Sequence, residues 1–294
     1  MTEFKEVEIT RILNPTSIDL GEYVINPFMG CEFACLYCYV RSNKVVGPGP
    51  RTGRNVMSIR NKPWGEFVEI RINSPDLLEK EILIKRPKTV LLGSTTECFQ
   101  PIERKYRIMG KALEILNKHK VYYVILTRSP LILDYLNLLK EGYCKKVYFT
   151  INKFSPEFKL KLEPKSPGFD MRDEAVNALL AQGISVVPYF SPVLPWVSDL
   201  NGVFLRFQQA ECIEFECLNF RLANIDAIIK CIAEARPDLL ARYENMLKDK
   251  TFYEGVWAEI KKDIENQAKE AKKRYNMHVH NFGDYFKNTY TIAT

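Results

Sequence analysis

The stretch YVINPFMGCEFACLYC, residues 23–38, decides how this sequence is interpreted. Its first part, residues 23–28, is rich in apolar and aromatic side chains and predicts a short buried strand. The chain then runs directly into Cys31, Cys35 and Cys38, with the spacing C-x3-C-x2-C. Three thiolates this close in sequence can bind three irons of a cubane iron–sulfur cluster. The fourth iron of such a cluster would have no protein ligand and would stay open to an outside molecule.

A zinc site is the alternative for clustered cysteines, but a structural zinc requires a fourth Cys or His ligand. None follows at a usual spacing, because His119 is remote and His278 and His280 lie near the other end of the chain. In an extended segment, His278 and His280 would lie on one side, as a second metal site or as an ordinary surface pair. The other cysteines are Cys98, Cys144, Cys212, Cys217 and Cys231. They are scattered, which favours buried thiols over a disulfide framework.

Segments of strand type alternate with segments of helical period along most of the chain. The predicted strands cover residues 23–28, 89–94, 121–127, 146–152, 184–191 and 211–220. Such alternation implies right-handed crossovers and a parallel sheet. Six strands are too few for a closed eight-stranded barrel, so we expect an α/β fold with a partial (β/α)6 barrel. Its functional face should lie at the carboxyl ends of the strands.

We expect the barrel core over residues 1–221, with a cluster loop at 29–41 and a long covering loop at 39–73. The sequence GPGP at 47–50 resists regular structure, and long loops in compact domains are usually functional or disordered. Residues 222–294 predict a mostly helical extension that packs on the barrel.

Composition and charge limit the class of protein. Hydrophobic residues make up 46% of the chain and charged residues 27%, which is ordinary for a globular protein. No apolar run is long enough to cross a membrane, and the first ten residues are acidic, so we expect a cytoplasmic protein with no membrane segment. The net charge of +6 is compatible with a nucleic-acid groove or with solvated helix faces.

Several motifs make the sequence resemble the radical S-adenosylmethionine (SAM) superfamily, and within it the spore photoproduct lyase-like group. They are C-x3-C-x-aromatic-C with Tyr37 as the aromatic, NPFMGC at 26–31, GSTTECFQPIE at 93–103, LEP at 162–164 and SPVLP at 191–195. The resemblance covers about the first two-thirds of the chain. It implies a 4Fe–4S cluster whose open iron chelates the amino and carboxylate groups of SAM. In this family, electron transfer to SAM releases methionine and a 5′-deoxyadenosyl radical, which abstracts hydrogen from the substrate.

The resemblance also implies site residues. Tyr37 should lie near the adenine of SAM, and Thr96 and Glu97 near its methionine or ribose end. Arg128 is a candidate partner for the SAM carboxylate, because a guanidinium can hold a carboxylate through two hydrogen bonds. Ser191 is a further candidate for contact with SAM. The alternatives are structural: Glu97 pairs with a lysine, and Arg128 is a solvated loop residue.

The substrate is less constrained. In spore photoproduct lyase a cysteine returns a hydrogen atom to the product radical, whereas the matching position here holds Ser94. Cys98 and Cys217 are candidate hydrogen donors, with inert buried thiols as the alternative. The departure puts photodimer repair in doubt. The resemblance implies a reductant such as flavodoxin or ferredoxin.

The substrate is expected to be organic: a nucleobase or DNA lesion, a small metabolite, or a peptide. A non-catalytic iron–sulfur or zinc protein is the rival hypothesis.

Overall fold

The computed structural model of this chain describes residues 2–41, 62–220 and 224–282. These residues form two compact units that interleave along the sequence. The first unit contains residues 2–33, 62–150 and 166–187, and the second contains 34–41, 151–165, 188–220 and 224–282. The expected GPGP segment at 47–50 lies outside the described residues.

Strands and helices alternate over most of the described chain. The strands are β1 (Glu3–Val7), β2 (Asn14–Pro15), β3 (Tyr23–Ile25), β4 (Phe28–Met29), β5 (Phe67–Arg71), β6 (Thr89–Leu92), β7 (Tyr122–Thr127), β8 (Cys144–Thr150), β9 (Val186–Val193), β10 (Cys212–Cys217) and β11 (Arg274–His278). The α-helices are α1 (Ser74–Lys85), α2 (Glu103–Tyr106), α3 (Ile108–Lys118), α4 (Leu136–Leu139), α5 (Pro156–Leu162), α6 (Phe169–Ala181), α7 (Val203–Arg206), α8 (Ile225–Ala235), α9 (Leu240–Lys248) and α10 (Lys250–Ala271). Short 3-10 helices cover Tyr39–Arg41, Pro130–Tyr135 and Pro237–Leu239.

The first unit is built on parallel strands in the order β3-β6-β7-β8, with β2 antiparallel on β3. The central strands are continuous apolar runs, as expected for strands covered on both faces. All six predicted strands are present, so the predicted α/β class with parallel strands is confirmed. No closed barrel is found among the described residues.

A second, smaller sheet in the first unit was not predicted. Strands β1 and β4 flank β5, which pairs parallel with β1 and antiparallel with β4. The expectation of a continuous loop over 39–73 is therefore wrong at Phe67–Arg71. Strand β5 buries Phe67, Val68 and Ile70 but is only five residues long, and β1 is mostly exposed, so neither segment gives a long apolar run. The predicted strand at 23–28 splits into β3 and β4 because Pro27 lacks the N–H that a strand would use.

The second unit has its own parallel strands, β9-β10-β11, of which β9 contributes residues 188–193. Phe190 and Phe215 stack with their ring centroids 5.3 Å apart. Helices α8, α9 and α10 follow in the region where a mostly helical extension is predicted, and α10 buries Val256, Trp257 and Ile264. Strand β11 is an unpredicted addition, because its sequence RYNMH is polar. The boundary of a separate extension at 222 stays a prediction.

No helix in the described part of the chain is both long enough and apolar enough to span a membrane.

Candidate functional site

A glycine controls how the chain enters the cysteine loop. Strand β4 pairs with β5 and leads directly into Gly30, whose φ is +100°. A Cβ atom at this position would lie 2.1 Å from the carbonyl oxygen of Phe67. Only a residue without a side chain can take this conformation so close to a neighbouring strand. The turn that places Cys31 after the strand therefore requires glycine.

The loop beyond Gly30 is held by residues that follow β6. The main-chain N–H of Glu32 donates to Oε1 of Gln100 at 2.8 Å. In return, Oε1 of Glu32 accepts from the N–H of Ile102 at 2.8 Å. The hydroxyl of Thr96 donates to the carbonyl of Gly30. These bonds fix the chain on both sides of Cys31.

The rest of the cysteine loop belongs to the second unit. The N–H of Leu36 donates to the carbonyl of Leu162 at 2.8 Å, and the N–H of Cys38 donates to the carbonyl of Cys35 at 3.2 Å. Cys35 is buried, whereas Cys31 and Cys38 are half-buried.

The donor set fits an iron–sulfur cluster in its chemistry, because thiolates are the usual ligands of such clusters. The only carboxylate among residues 31–38, that of Glu32, already accepts from the main chain of Ile102. Within residues 2–41, 62–220 and 224–282, no group of three or more Cys, His, Asp or Glu side chains is already arranged around a metal-sized space. The assignment of Cys31, Cys35 and Cys38 as ligands therefore stays a prediction from their spacing.

Glu97 lies at the end of β6 and ties it to the end of β7. Its Oε1 accepts from the hydroxyl of Thr127 at 2.6 Å and from the N–H of Phe99 at 3.0 Å, and its Oε2 accepts from the N–H of Arg128 at 2.9 Å. Burial raises the pKa of this carboxyl group, although the three hydrogen bonds oppose the shift. Glu97 therefore hydrogen-bonds to residues at the end of β7 rather than pairing with a lysine.

Two neighbouring side chains support the same strand end. The amide of Gln100 donates to the Gly30 carbonyl at 3.4 Å and to the Thr96 hydroxyl at 3.3 Å. Asn26 donates to the hydroxyl of Ser94 at 3.2 Å and accepts from the N–H of Thr95 at 3.1 Å. Sequence reasoning named Thr96 but missed Asn26 and Gln100, both of which lie in motifs that the sequence displays.

Cys98 lies in the core of the first unit with no exposed surface. Its Sγ would be 3.2 Å from a Cβ at Gly93, so the glycine leaves room for the sulfur. Burial raises the pKa of this thiol well above its usual value, and the nearby Glu97, Glu103 and Cys31 raise it further. The side chain is therefore a protonated thiol.

In the second unit, Tyr37 belongs to a buried polar network. Its hydroxyl donates to the carboxylate of Glu163. The amide of Asn152 donates to Tyr37 Oη and to Glu163 Oε1, each at 3.1 Å, and to the main-chain carbonyl of Ser191 at 2.8 Å. The structure thus links Tyr37 and Ser191, two residues predicted to contact SAM. Asn152 was missed because it follows a strand as one polar residue, with no motif around it.

Glu216 of β10 is the centre of a second polar network, which sequence reasoning also missed. Its Oε2 accepts from the hydroxyls of Tyr189 at 2.7 Å and Ser191 at 2.6 Å. Its Oε1 lies 3.3 Å from Nε2 of His280. The available signal was the sequence CIEFEC, in which two acidic residues alternate with apolar ones and so share one face of a strand. His280 pairs with a carboxylate here, as His278 does with Glu214 at 3.6 Å.

Cys217 follows Glu216 on β10 and contacts the main chain of His280. Its sulfur accepts from the N–H of His280 at 3.0 Å and contacts Oη of Tyr253 at 3.8 Å. Burial raises the pKa of the thiol to about 12, and only 1% of the residue is exposed. Both candidate hydrogen donors, Cys98 and Cys217, are therefore buried and protonated.

The model of the radical SAM superfamily matches residues 25–200 of this chain. That stretch contains the three clustered cysteines and every residue predicted to contact SAM. The chain therefore belongs to the radical SAM superfamily, and the predicted enzyme class is confirmed.

Two relatives show how far the sequence similarity extends. An uncharacterized protein of Methanocaldococcus jannaschii is 29% identical over 201 residues, which cover 68% of this chain and 71% of the relative. An uncharacterized protein of Mycobacterium tuberculosis is 24% identical over 240 residues, or 77% of this chain and 67% of the relative.

Solved structures confirm the fold. Spore photoproduct lyase complexed with dinucleoside spore photoproduct matches with a TM-score of 0.54 and 19% identity, covering 80% of this chain. This chain spans 66% of that lyase chain. SuiB of Streptococcus suis, bound to the precursor peptide SuiA, matches with a TM-score of 0.53 and 10% identity, covering 87% of this chain and 48% of SuiB. At these identities the similarity concerns the fold alone.

Proposed function

We propose that this chain holds a 4Fe–4S cluster through Cys31, Cys35 and Cys38 and uses it to cleave SAM. The observation that carries the proposal is the C-x3-C-x2-C triplet directly after strand β4, inside the region that matches the superfamily. When bound, cluster and SAM together supply a 5′-deoxyadenosyl radical that abstracts hydrogen from an organic substrate. A reductant such as flavodoxin or ferredoxin supplies the electron.

The protein's own side chains have positioning roles in this proposal. Asn152 and Glu163 hold the Tyr37 ring in one orientation, as a surface against which the adenine can lie. The main-chain N–H of Arg128 donates to Glu97, which fixes the backbone at this residue. From there the Arg128 guanidinium can reach the SAM carboxylate. Glu97 supports this arrangement through the strand ends, so its main effect on SAM is indirect.

Thr96 and Ser191 are the remaining proposed contacts with SAM. The Thr96 hydroxyl donates to the Gly30 carbonyl and accepts from the Gln100 amide, which leaves one lone pair of its oxygen as an acceptor. Ser191 donates to Glu216 and keeps an acceptor oxygen in the same way.

The substrate we favour is a nucleobase or a DNA lesion, with a small metabolite or a peptide as the alternative. The first is supported by the fold shared with a lyase bound to a dinucleoside photoproduct, and the peptide by the fold shared with SuiB bound to its precursor peptide. A cysteine that donates a hydrogen atom must carry its S–H bond, which the protonated thiols of Cys98 and Cys217 retain. Neither thiol is exposed, so either would act only on a substrate that reaches the interior.

Anaerobic reconstitution with iron and sulfide, followed by dithionite and SAM, tests the proposal. We expect the wild type to form 5′-deoxyadenosine and methionine. Cys35→Ala should lose both the cluster absorbance and the cleavage. Cys231→Ala is the matched control, because Cys231 is similarly buried but lies in α8, outside the motif. A fully loaded wild-type protein that forms no 5′-deoxyadenosine contradicts the proposal, and cleavage retained in Cys35→Ala contradicts the ligand assignment.

A further inference from the structure

The β9-β10-β11 sheet of the second unit has one apolar and one polar face. Phe190 and Phe215 stack on the apolar face. Because side chains alternate along a strand, Ser191 and Glu216 lie on the opposite face. Both are half-buried rather than sealed in the core, so this face remains accessible to a ligand.

Glu216 determines how the hydroxyl groups on this face are oriented. Burial alone would raise the pKa of Glu216, but hydrogen bonds and charge from His280, together with the hydroxyls of Ser191 and Tyr189, outweigh it and hold the pKa below its usual value. An ionised carboxylate only accepts hydrogen bonds. The hydroxyl protons of Ser191 and Tyr189 therefore both point at Glu216, at 2.6 and 2.7 Å. With its proton on Glu216, the Ser191 hydroxyl offers its oxygen as an acceptor.

The groups around Glu216 are themselves held from other elements. Asn152 donates to the main-chain carbonyl of Ser191 at 2.8 Å, so this serine is fixed by its backbone as well as its hydroxyl. The N–H of His280 donates to Cys217 Sγ at 3.0 Å, and its carbonyl accepts from Tyr253 Oη at 2.6 Å. The imidazole is thereby kept against the carboxylate. Such anchoring reduces the cost of ordering these groups when a ligand binds.

We propose that Glu216 is a positioning residue for SAM, which acts by orienting Ser191 as a hydrogen-bond acceptor. This face of the sheet then accepts hydrogen bonds from donor groups of the ligand. The ammonium of SAM is committed to the open iron in the proposed function, so the donors that remain are the ribose hydroxyls and the adenine 6-amino group. The adenine lies against Tyr37 in the proposed function, so we assign the ribose hydroxyls to this face. This inference rests on the proposed function, in which Ser191 contacts SAM.

The test is the equilibrium affinity for SAM, measured by dialysis of the reconstituted protein against labelled SAM. We expect Ser191→Ala and Glu216→Gln each to weaken binding about three- to tenfold, the range for one net hydrogen bond. The double variant should be no weaker than the weaker single variant, because both changes remove the same interaction. Cleavage at saturating SAM should keep its rate, so the Michaelis constant for SAM changes and kcat does not.

Glu214→Gln is the matched control. Glu214 lies two residues earlier on β10 and contacts His278 and Asn276 instead of Ser191. Its removal should leave the affinity for SAM unchanged. Ser191→Ala removes the acceptor itself, so it keeps the inference testable if Glu216→Gln does not fold. Wild-type affinity for SAM in Ser191→Ala overturns it.

Wild-type affinity in Glu216→Gln, or effects of Ser191→Ala and Glu216→Gln that add in full, also overturn the inference. The two proposals fail in distinguishable ways. A wild type that binds SAM but forms no 5′-deoxyadenosine contradicts the proposed function. The affinities of the variants for SAM then still test the role of Glu216. A wild type that cleaves SAM while Glu216→Gln binds normally contradicts the role of Glu216 alone.

Discussion

Gly30→Ala should destabilise the protein severely, because two separate costs fall on one added methyl group. The first is conformational: a φ of +100° is a region that residues with a Cβ rarely adopt, and holding one there costs about 1–2 kcal/mol. The second is steric. The new Cβ would lie 2.1 Å from the Phe67 carbonyl oxygen, whereas ordinary contact begins at 3.4 Å, so β4 and β5 must separate by about 3.4 − 2.1 = 1.3 Å.

Separating two paired strands by that distance breaks or lengthens their hydrogen bonds. Forcing an extra methyl group into a packed site costs about 1–3 kcal/mol. The expected loss in the free energy of unfolding is therefore about 2–5 kcal/mol. The cysteine loop begins at the next residue, so iron incorporation should fall as well.

Gly142→Ala separates the two costs. Gly142 has almost the same φ, +96°, but no atom lies within 4 Å of its added Cβ. This variant should lose only the conformational part, about 1–2 kcal/mol. The assay is urea unfolding followed by circular dichroism, with iron content after reconstitution as the second measurement. Equal losses in the two variants would refute the role assigned to the Phe67 contact.

Three further outcomes follow from single contacts. Glu97→Gln should cost about 1–3 kcal/mol at pH 7, because an amide cannot accept from all three donors that face the carboxylate. Because the folded-state pKa of Glu97 is raised, the folded protein holds its proton more tightly than the unfolded chain. Lowering the pH from 7 towards 4.5 should therefore increase the free energy of unfolding of the wild type relative to that of Glu97→Gln. A difference between the two proteins that stays constant over this pH range speaks against this. Iodoacetamide should leave Cys98 and Cys217 unlabelled in the folded protein and label both in urea, as read by mass spectrometry, and labelling of either without urea contradicts its burial. Asp249→Ala should cost about 1 kcal/mol, because the Asp249 side chain accepts from the N–H of Phe252 at the start of α10; an unchanged urea midpoint counts against that helix cap.

The part of the fold that the sequence predicts well consists of buried strands. Strands β6 and β7 lie where continuous apolar runs predict them, because a strand covered on both faces needs apolar residues along its whole length. The small sheet and β11 escaped prediction for the opposite reason. Their segments are short, β1 and β11 are also polar or exposed, and they become strands only through partners distant in sequence, such as Glu3 and Phe67.

The sequence by itself determined the superfamily, the cysteine triplet and the aromatic between its last two members, because these depend on spacing within one loop. Only the tertiary structure decided what the other predicted site residues contact. Glu97 bonds to the end of β7, Tyr37 to Asn152 and Glu163, and Ser191 to Glu216. Each of these contacts joins residues at least 25 positions apart, which no local pattern specifies. The cysteine triplet can therefore be recognised from a short stretch of sequence. The orientation of the side chains proposed to contact SAM, in contrast, depends on how the strand ends pack.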